Sequence, residues 1–410
     1  MKSVFALCIG IWLACAAANA ETEDSSILVE LKAYLSASAE VRPPIGAQAF
    51  ATKSLSREGA KAAAELLVAD WRARIRRERA AEMAAKEIKI GERAMPIWWA
   101  VYGEKPAGGR SLYISMHGGG NAPARTNDQQ WNNQKRLYHP KEGVYVAPRA
   151  PTNTWNLWHE AHIDALFDRL IENLIVFEDV DPNRVYIMGY SAGGDGVYQL
   201  APRMADRLAA AAMMAGHPNE ASPLGLRNIA FAIHVGELDG GYNRNKVAAE
   251  WKEKLAALAK VDAGGYRHLV EIHAGKPHWM DREDSSAVEW MHEFVREPFS
   301  KRVVWRQDDV THSRFYWLAV DEANKKGGAE VRADLAGQAI TIQTNDVKQI
   351  TVRVNDAMLD MDEPVTIRAG EKLLFSGKIE RTIAVLSKTL AERGDPKSLF
   401  AGEVEVQLQQ

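Results

Sequence analysis

The chain has 410 residues, of which 46% are hydrophobic and 26% charged, and its formal net charge at pH 7 is −3. Such a balance offers no electrostatic footprint for nucleic acid or an anionic membrane, and the length leaves room for more than one domain. Both cysteines, Cys8 and Cys15, lie near the start of the chain. The remainder therefore has no disulfides or thiolate metal sites, and a large buried core has to hold it together.

The first segment combines a basic start, Met1-Lys2-Ser3, a short apolar run over 4–18 and the small-residue pattern Ala18-Asn19-Ala20. This is the pattern of a secretory signal peptide cleaved near Ala20, which implies a secreted or periplasmic protein. The run is too short to remain as a membrane span, and no later run is long enough. Residues 21–42 are polar and end at Pro43-Pro44, the mark of a loosely ordered lead segment. From Ser56 the pattern turns helical, with Leu67, Trp71 and Ile75 at i, i+4 spacing. Arg72, Arg74, Arg76 and Arg77 read as its solvated face. Short strands over 86–90 and 96–102, joined through Gly91-Glu92, form a hairpin that supplies an antiparallel edge.

A strand over 111–116 runs into His117-Gly118-Gly119-Gly120. Glycines let backbone N–H groups approach a substrate oxygen, and in acyl transfer such fixed donors are worth roughly 3–4 kcal/mol each. Gly119 or Gly120, together with Ala192, are the candidate oxyanion donors, while His117 braces the loop. The following region, 121–158, is polar and aromatic, with helical potential over 126–137. Loops of this kind surround sites at strand ends, so Trp155 or Trp158 is expected to line a substrate cleft. His159-Glu160-Ala161-His162 is one residue short of the H-E-x-x-H spacing, and no metal is expected there.

A helix over 162–177 and the turn Val180-Asp181-Pro182-Asn183 lead into the apolar strand that ends in Gly189-Tyr190-Ser191-Ala192-Gly193-Gly194. G-x-S-x-G between a strand and a helix is a nucleophile elbow. The serine's backbone is strained there, and a Cβ at Gly189 or Gly193 would collide with the flanking elements. Past the strand over 211–215, His217 is expected to face the pocket. The apolar strand 229–236 ends in Glu237-Leu238-Asp239-Gly240-Gly241, where an orienting carboxylate belongs. Asp239 is favoured because the Gly-Gly after it permits a tight bend, with Glu237 as the alternative. His234 and His273 sit within strands and read as packed. His278 and Trp279 follow Gly275 and Pro277, which carry the loop off the sheet.

The order Ser191, Asp239, His278 separates one class of serine hydrolase from the others. With His117 to Gly120, Asp181-Pro182-Asn183-Arg184 and Gly189 to Gly194, it makes residues from about 86 to 298, some half of the chain, resemble the α/β-hydrolases. The likeness is to the secreted esterase branch that includes polyhydroxybutyrate depolymerase-like and feruloyl esterase-like proteins. This resemblance implies cofactor-free hydrolysis of a small-molecule or polymeric carboxylic ester through an acyl-enzyme. It casts Ser191 as nucleophile, His278 as base and Asp239 as acid. Strand and helix patterns alternate through this region, which implies a mainly parallel sheet with right-handed crossovers.

Beyond about 303, apolar and polar residues alternate over 340–342, 350–354, 365–367 and 404–408, interrupted by one helix with Ile383, Leu386 and Leu390 on a face. The expected organisation is a signal peptide at 1–20, a helical extension at 21–85, an α/β-hydrolase domain at 86–300 and a small β-rich domain at 301–410. By analogy the last domain would bind carbohydrate or another surface. Trp305, Phe315, Tyr316 and Trp317 could stack on such a ligand, although aromatics in an opening strand are more often core. A serine peptidase and a non-catalytic binding scaffold are the competing readings.

Overall fold

The computed structural model describes residues 22–408, so the signal-peptide reading of 1–20 and both cysteines fall outside the described residues. The lead segment differs from expectation, because residues 22–36 form a helix, α1. Ile27 and Leu31 are fully buried, with Leu28, Tyr34 and Leu35 packed beside them, a helical face hidden by the polar residues between. Asp24 ties α1 to the start of the next long helix by accepting from Ser56 N and Ser56 Oγ. Ser56 in turn caps that helix, α2 (Arg57–Ala85), accepting from Gly59 N at 3.1 Å.

α2 buries Leu67, Trp71 and Ile75 as its spacing predicts. The helix expected over 126–137 is α3 (Ala124–Gln134). The arginines of α2 are not all solvated. Arg72 and Arg76 donate to the carbonyls of Ile175 and Val176, the last turn of α4 (His162–Phe177), where unpaired carbonyls favour a cation.

The central sheet has eight strands in the order β1-β2-β4-β3-β5-β6-β7-β8. β1 (Glu87–Ile90) and β2 (Arg93–Tyr102) form the expected hairpin, and β2 is also antiparallel to β4 (Gly143–Pro148). From β4 onward every pairing is parallel: β3 (Arg110–Met116), β5 (Val180–Tyr190), β6 (Ala210–Met214), β7 (Ala230–Gly236) and β8 (His268–His273). The expected turn at 180–183 is instead the start of β5, irregular in register, with Asp181 Oδ1 accepting from Asn183 N. The inner strands are buried on both faces, which is why they read as continuous apolar runs.

The C-terminal part begins at β9 (Arg302–Arg306) and contains a five-stranded and a four-stranded sheet. A helix, Ile383–Arg393, interrupts it and ends at Gly394, as its pattern predicts. The aromatic platform does not form. Trp305, Phe315, Tyr316 and Trp317 are all buried, with Trp305 stacked on Phe315 and the Tyr316 hydroxyl donating to Ala205 O.

This part grips the part that carries the eight-stranded sheet through buried charges. Arg393 pairs with Asp206, and Asp395 pairs with Arg296 at 2.6 Å and with Arg207 at 3.6 Å. Burial alone would raise the pKa of Asp395, but Arg296 and Arg207 outweigh it and hold it below the ordinary value. A carboxylate lowered in this way stabilises the fold above its unfolded pKa of about 4 and loses that contribution as pH falls through the lower folded value. Asp395→Ala removes the carboxylate partner of the buried Arg296, which keeps only neutral acceptors on Asn183 and Asp206, while Arg207 keeps Asp168; it is expected to cost about 2–3 kcal/mol, read as a drop in the urea midpoint at neutral pH that narrows on acidification.

Candidate active site

The chain leaves β5 at Ser191 with φ 57° and ψ −119°, a strained conformation for a residue bearing a side chain, and α5 (Ala192–Arg203) starts immediately. A Cβ at Gly189 would stand 2.2 Å from Gly193 O, and one at Gly193 would stand 2.2 Å from Met116 O, so both positions exclude every other residue. Ser191 N donates to Met214 O at 2.9 Å, pinning the turn to the end of β6.

The loops after β7 and β8 bring their side chains to this serine. His278 Nε2 lies 3.1 Å from Ser191 Oγ, and His278 Nδ1 lies 2.7 Å from Asp239 Oδ2. A carboxylate only accepts, so Nδ1 carries the proton and Nε2 is left as an acceptor for the serine hydroxyl. Glu237, the alternative acid, is engaged elsewhere: its Oε2 accepts from Gly275 N at 2.8 Å. Tyr190, beside Ser191, anchors the histidine loop. Its hydroxyl donates to His278 O at 2.6 Å and accepts from Met280 N at 3.2 Å.

Serine after β5, carboxylate after β7, histidine after β8 and a glycine loop after β3, all at the carboxyl edge of this strand order, decide the architecture. The chain has the α/β-hydrolase fold. No family model matches the sequence, and no curated protein matches it either. Among solved structures it is similar to a thermostable esterase at 21% identity and TM-score 0.39, covering 51% of this chain and 62% of that one. It is also similar to the esterase PE8 at 20% identity and TM-score 0.33, covering 48% and 97%. A third likeness is to a feruloyl esterase module of Clostridium thermocellum complexed with sinapinate, at 14% identity and TM-score 0.35, covering 49% and 83%.

In this α/β-hydrolase fold the two candidate glycines behave differently. Gly120 N already donates to Asn127 Oδ1 at 2.9 Å, so of the two candidate donors it is the one engaged within the protein, although both glycines line the same cavity. Gly119 lines the cavity beside Ser191. Ala192 N belongs to the first turn of α5, whose N–H groups have no intrahelical acceptor. His117 is the brace expected of it. Its Nδ1 lies 2.6 Å from Gly118 O and its Nε2 accepts from Ala150 N, while burial pushes its pKa down to about 4.

A cavity of about 690 Å³ opens over Ser191, lined by Gly119, Trp155, Ala192, His217 and His278 among others. Trp155, 58% exposed, forms part of its wall. Trp158 does not, because it is 0% exposed and its Nε1 donates to His117 O, supporting the glycine loop from beneath. Trp279 is 45% exposed and packs 5.6 Å from Tyr190 outside the cavity lining. Sequence reading did not single out Asp195, Tyr242 or Arg244, which also line the cavity. The Asp195 pKa is raised by burial, and its Oδ1 accepts from His217 N at 2.6 Å.

Among the described residues, one trio, His234, Glu271 and His273, holds metal-type ligand atoms within 4.8 Å of one another. His234 Nδ1 and His273 Nε2 are 3.1 Å apart while their ring centroids are 5.4 Å apart. That centroid separation is what two ring radii and the contact add up to, so the nitrogens face each other along one line. The pair is an imidazole–imidazole hydrogen bond, not two lone pairs converging on a cation. Burial, with His273 adjacent, pushes the His234 pKa down to about 3 and keeps its ring neutral. His162 Nδ1 faces Glu160 at 3.3 Å.

Proposed function

We propose that this chain is a secreted or periplasmic serine hydrolase that cleaves carboxylic esters through an acyl-enzyme. The observation that carries the reading is the continuous line from Asp239 through His278 to Ser191 Oγ. In the first half-reaction Ser191 Oγ bonds to the ester carbonyl carbon as its proton passes to His278 Nε2. The carbonyl oxygen takes up negative charge opposite the N–H groups of Gly119 and Ala192. The carbon–oxygen bond to the alcohol then breaks, and His278 gives the proton to the departing oxygen. Water repeats the sequence and releases the acid, so no cofactor is consumed.

In this reading residues 86–300 are the catalytic domain and 301–410 a domain clamped onto it, and the substrate is a small-molecule or polymeric ester. Among the described residues no helix is long and apolar enough to cross a membrane. A fluorophosphonate probe is expected to label Ser191 and a panel of short acyl esters to be hydrolysed, with the matching aminoacyl amides turned over at least about a hundredfold more slowly. Folded protein that takes up no probe overturns the reading, and faster cleavage of amides converts it to a peptidase.

A further inference from the structure

Arg244 opens α6 (Arg244–Val261) directly behind Tyr242 and Asn243, which both take left-handed backbone angles, φ 54° and 57°. Residues with side chains avoid that region, and two in succession mark a loop held in place for what it presents. It presents a cation to the wall of the Ser191 cavity. The Arg244 side chain is 11% exposed, and its Cζ lies 4.8 Å from the ring centroid of Tyr242, itself 79% exposed at the rim.

The protein supplies this guanidinium with little to bind. Among the described residues its one hydrogen bond runs from Nη1 to Gly241 O, at a long 3.4 Å. Nη1 stands 3.8 Å from Asp239 Oδ1, beyond hydrogen-bond reach, and Nε is buried with no acceptor. Both acidic groups of the neighbourhood are already committed, Asp239 to His278 Nδ1 and Asp195 to His217 N. The guanidinium thus has a long-range ion pair with Asp239 Oδ1 and the Tyr242 ring beside it but no close acceptor, and a nearly buried guanidinium favours a carboxylate that can accept from two of its N–H groups at once.

Sheet order places the feature relative to the nucleophile. Arg244 follows β7 and Trp155 follows β4, strands on opposite sides of β5. A substrate lying across Ser191 therefore meets an aromatic wall at one end and a guanidinium at the other. We propose that Arg244 is a specificity-determining residue that binds an ionised carboxylate on the ester, making carboxylate-bearing esters the preferred substrates of this cavity. This rests on the ester-hydrolase reading of the same site.

Two matched pairs test it on either half of the ester. Para-nitrophenyl hydrogen glutarate and para-nitrophenyl valerate end acyl chains of equal length in a carboxylate or a methyl. Para-acetoxybenzoate and para-tolyl acetate make the same exchange on the alcohol. In at least one pair kcat/KM for the anionic member is expected to exceed its partner by about tenfold or more, through KM, the worth of one or two hydrogen bonds to a charged group. Arg244→Gln is expected to bring that ratio close to one and Arg244→Lys to restore part of it, with the neutral ester reporting that the site still folds. No preference in either pair, or a preference that survives Arg244→Gln, overturns the proposal. A loss of kcat shared by both members also overturns it, since Arg244 would then position Asp239 instead. Calorimetric binding of monomethyl glutarate to Ser191→Ala protein, with and without Arg244→Gln, reads the carboxylate site without turnover. Binding that needs Arg244 in a protein that hydrolyses no ester sinks the hydrolase reading alone, whereas hydrolysis indifferent to Arg244 sinks the carboxylate site alone.

Discussion

Ser191→Ala is expected to lower kcat for a short acyl ester by about a million-fold, the scale on which loss of a serine nucleophile acts in a triad that works as a unit. The exchange removes the hydroxyl that, among the described residues, is bonded to His278 Nε2. It leaves the turn itself in place, because Ser191 N still donates to Met214 O and the Gly189 and Gly193 packing does not involve the side chain. The N–H groups of Gly119 and Ala192 also remain, so a residual rate of about a thousandfold over water is expected to survive. Adding His278→Ala to this variant is then expected to cost little more, since a base without a nucleophile has no proton to take. Steady-state rates on one ester, with urea midpoints to verify folding, check the series. Full additivity of the two losses would mean that the residues do not act together.

How far the molecule could be read from its residues depends on which interactions have a local signature. The elbow has one, because only glycine avoids the 2.2 Å contacts at positions 189 and 193, and the parallel strands have one in their unbroken apolar runs. Roles decided by direction do not. Trp155 and Trp158 come from the same aromatic loop, yet one opens into the cavity and the other turns under it to reach His117 O. Gly119 and Gly120 are adjacent and alike, and only the carboxamide of Asn127 separates them. Arg244 carries no motif at all, since its place depends on two left-handed residues whose angles sequence does not announce. Helix α1 did leave a trace in Ile27, Leu31 and Leu35, but polar composition and the Pro43-Pro44 stop outweighed it. In the C-terminal part the alternating strands were visible, whereas the parallel pairing of strand Ala339–Asn345 with strand Val365–Ala369 and the ion pairs to Asp206 and Arg296 depend on partners distant along the chain.

Asp239→Asn is expected to reduce kcat by about ten-thousandfold, whereas Glu237→Gln should leave it within a few-fold. Both acids sit on the loop after β7, and composition alone does not choose between them. Asp239 is 3% exposed and holds His278 Nδ1 at 2.7 Å, which fixes the tautomer that leaves Nε2 free to accept from Ser191. A carboxamide at that position can offer its own N–H to Nδ1, which stabilises the opposite tautomer and turns Nε2 into a donor. It also withdraws the negative charge that stabilises the imidazolium formed as Ser191 attacks. Glu237 instead accepts from Gly275 N, tying down the loop that carries His278. Its amide can keep that bond, and loss of its charge, on a side chain bonded to Gly275 N rather than to His278, should register in the thermal midpoint more than in the rate. Comparing kcat and melting temperature for the two variants reads both effects. Equal losses of kcat would show that the carboxylate orienting His278 has been assigned to the wrong side chain.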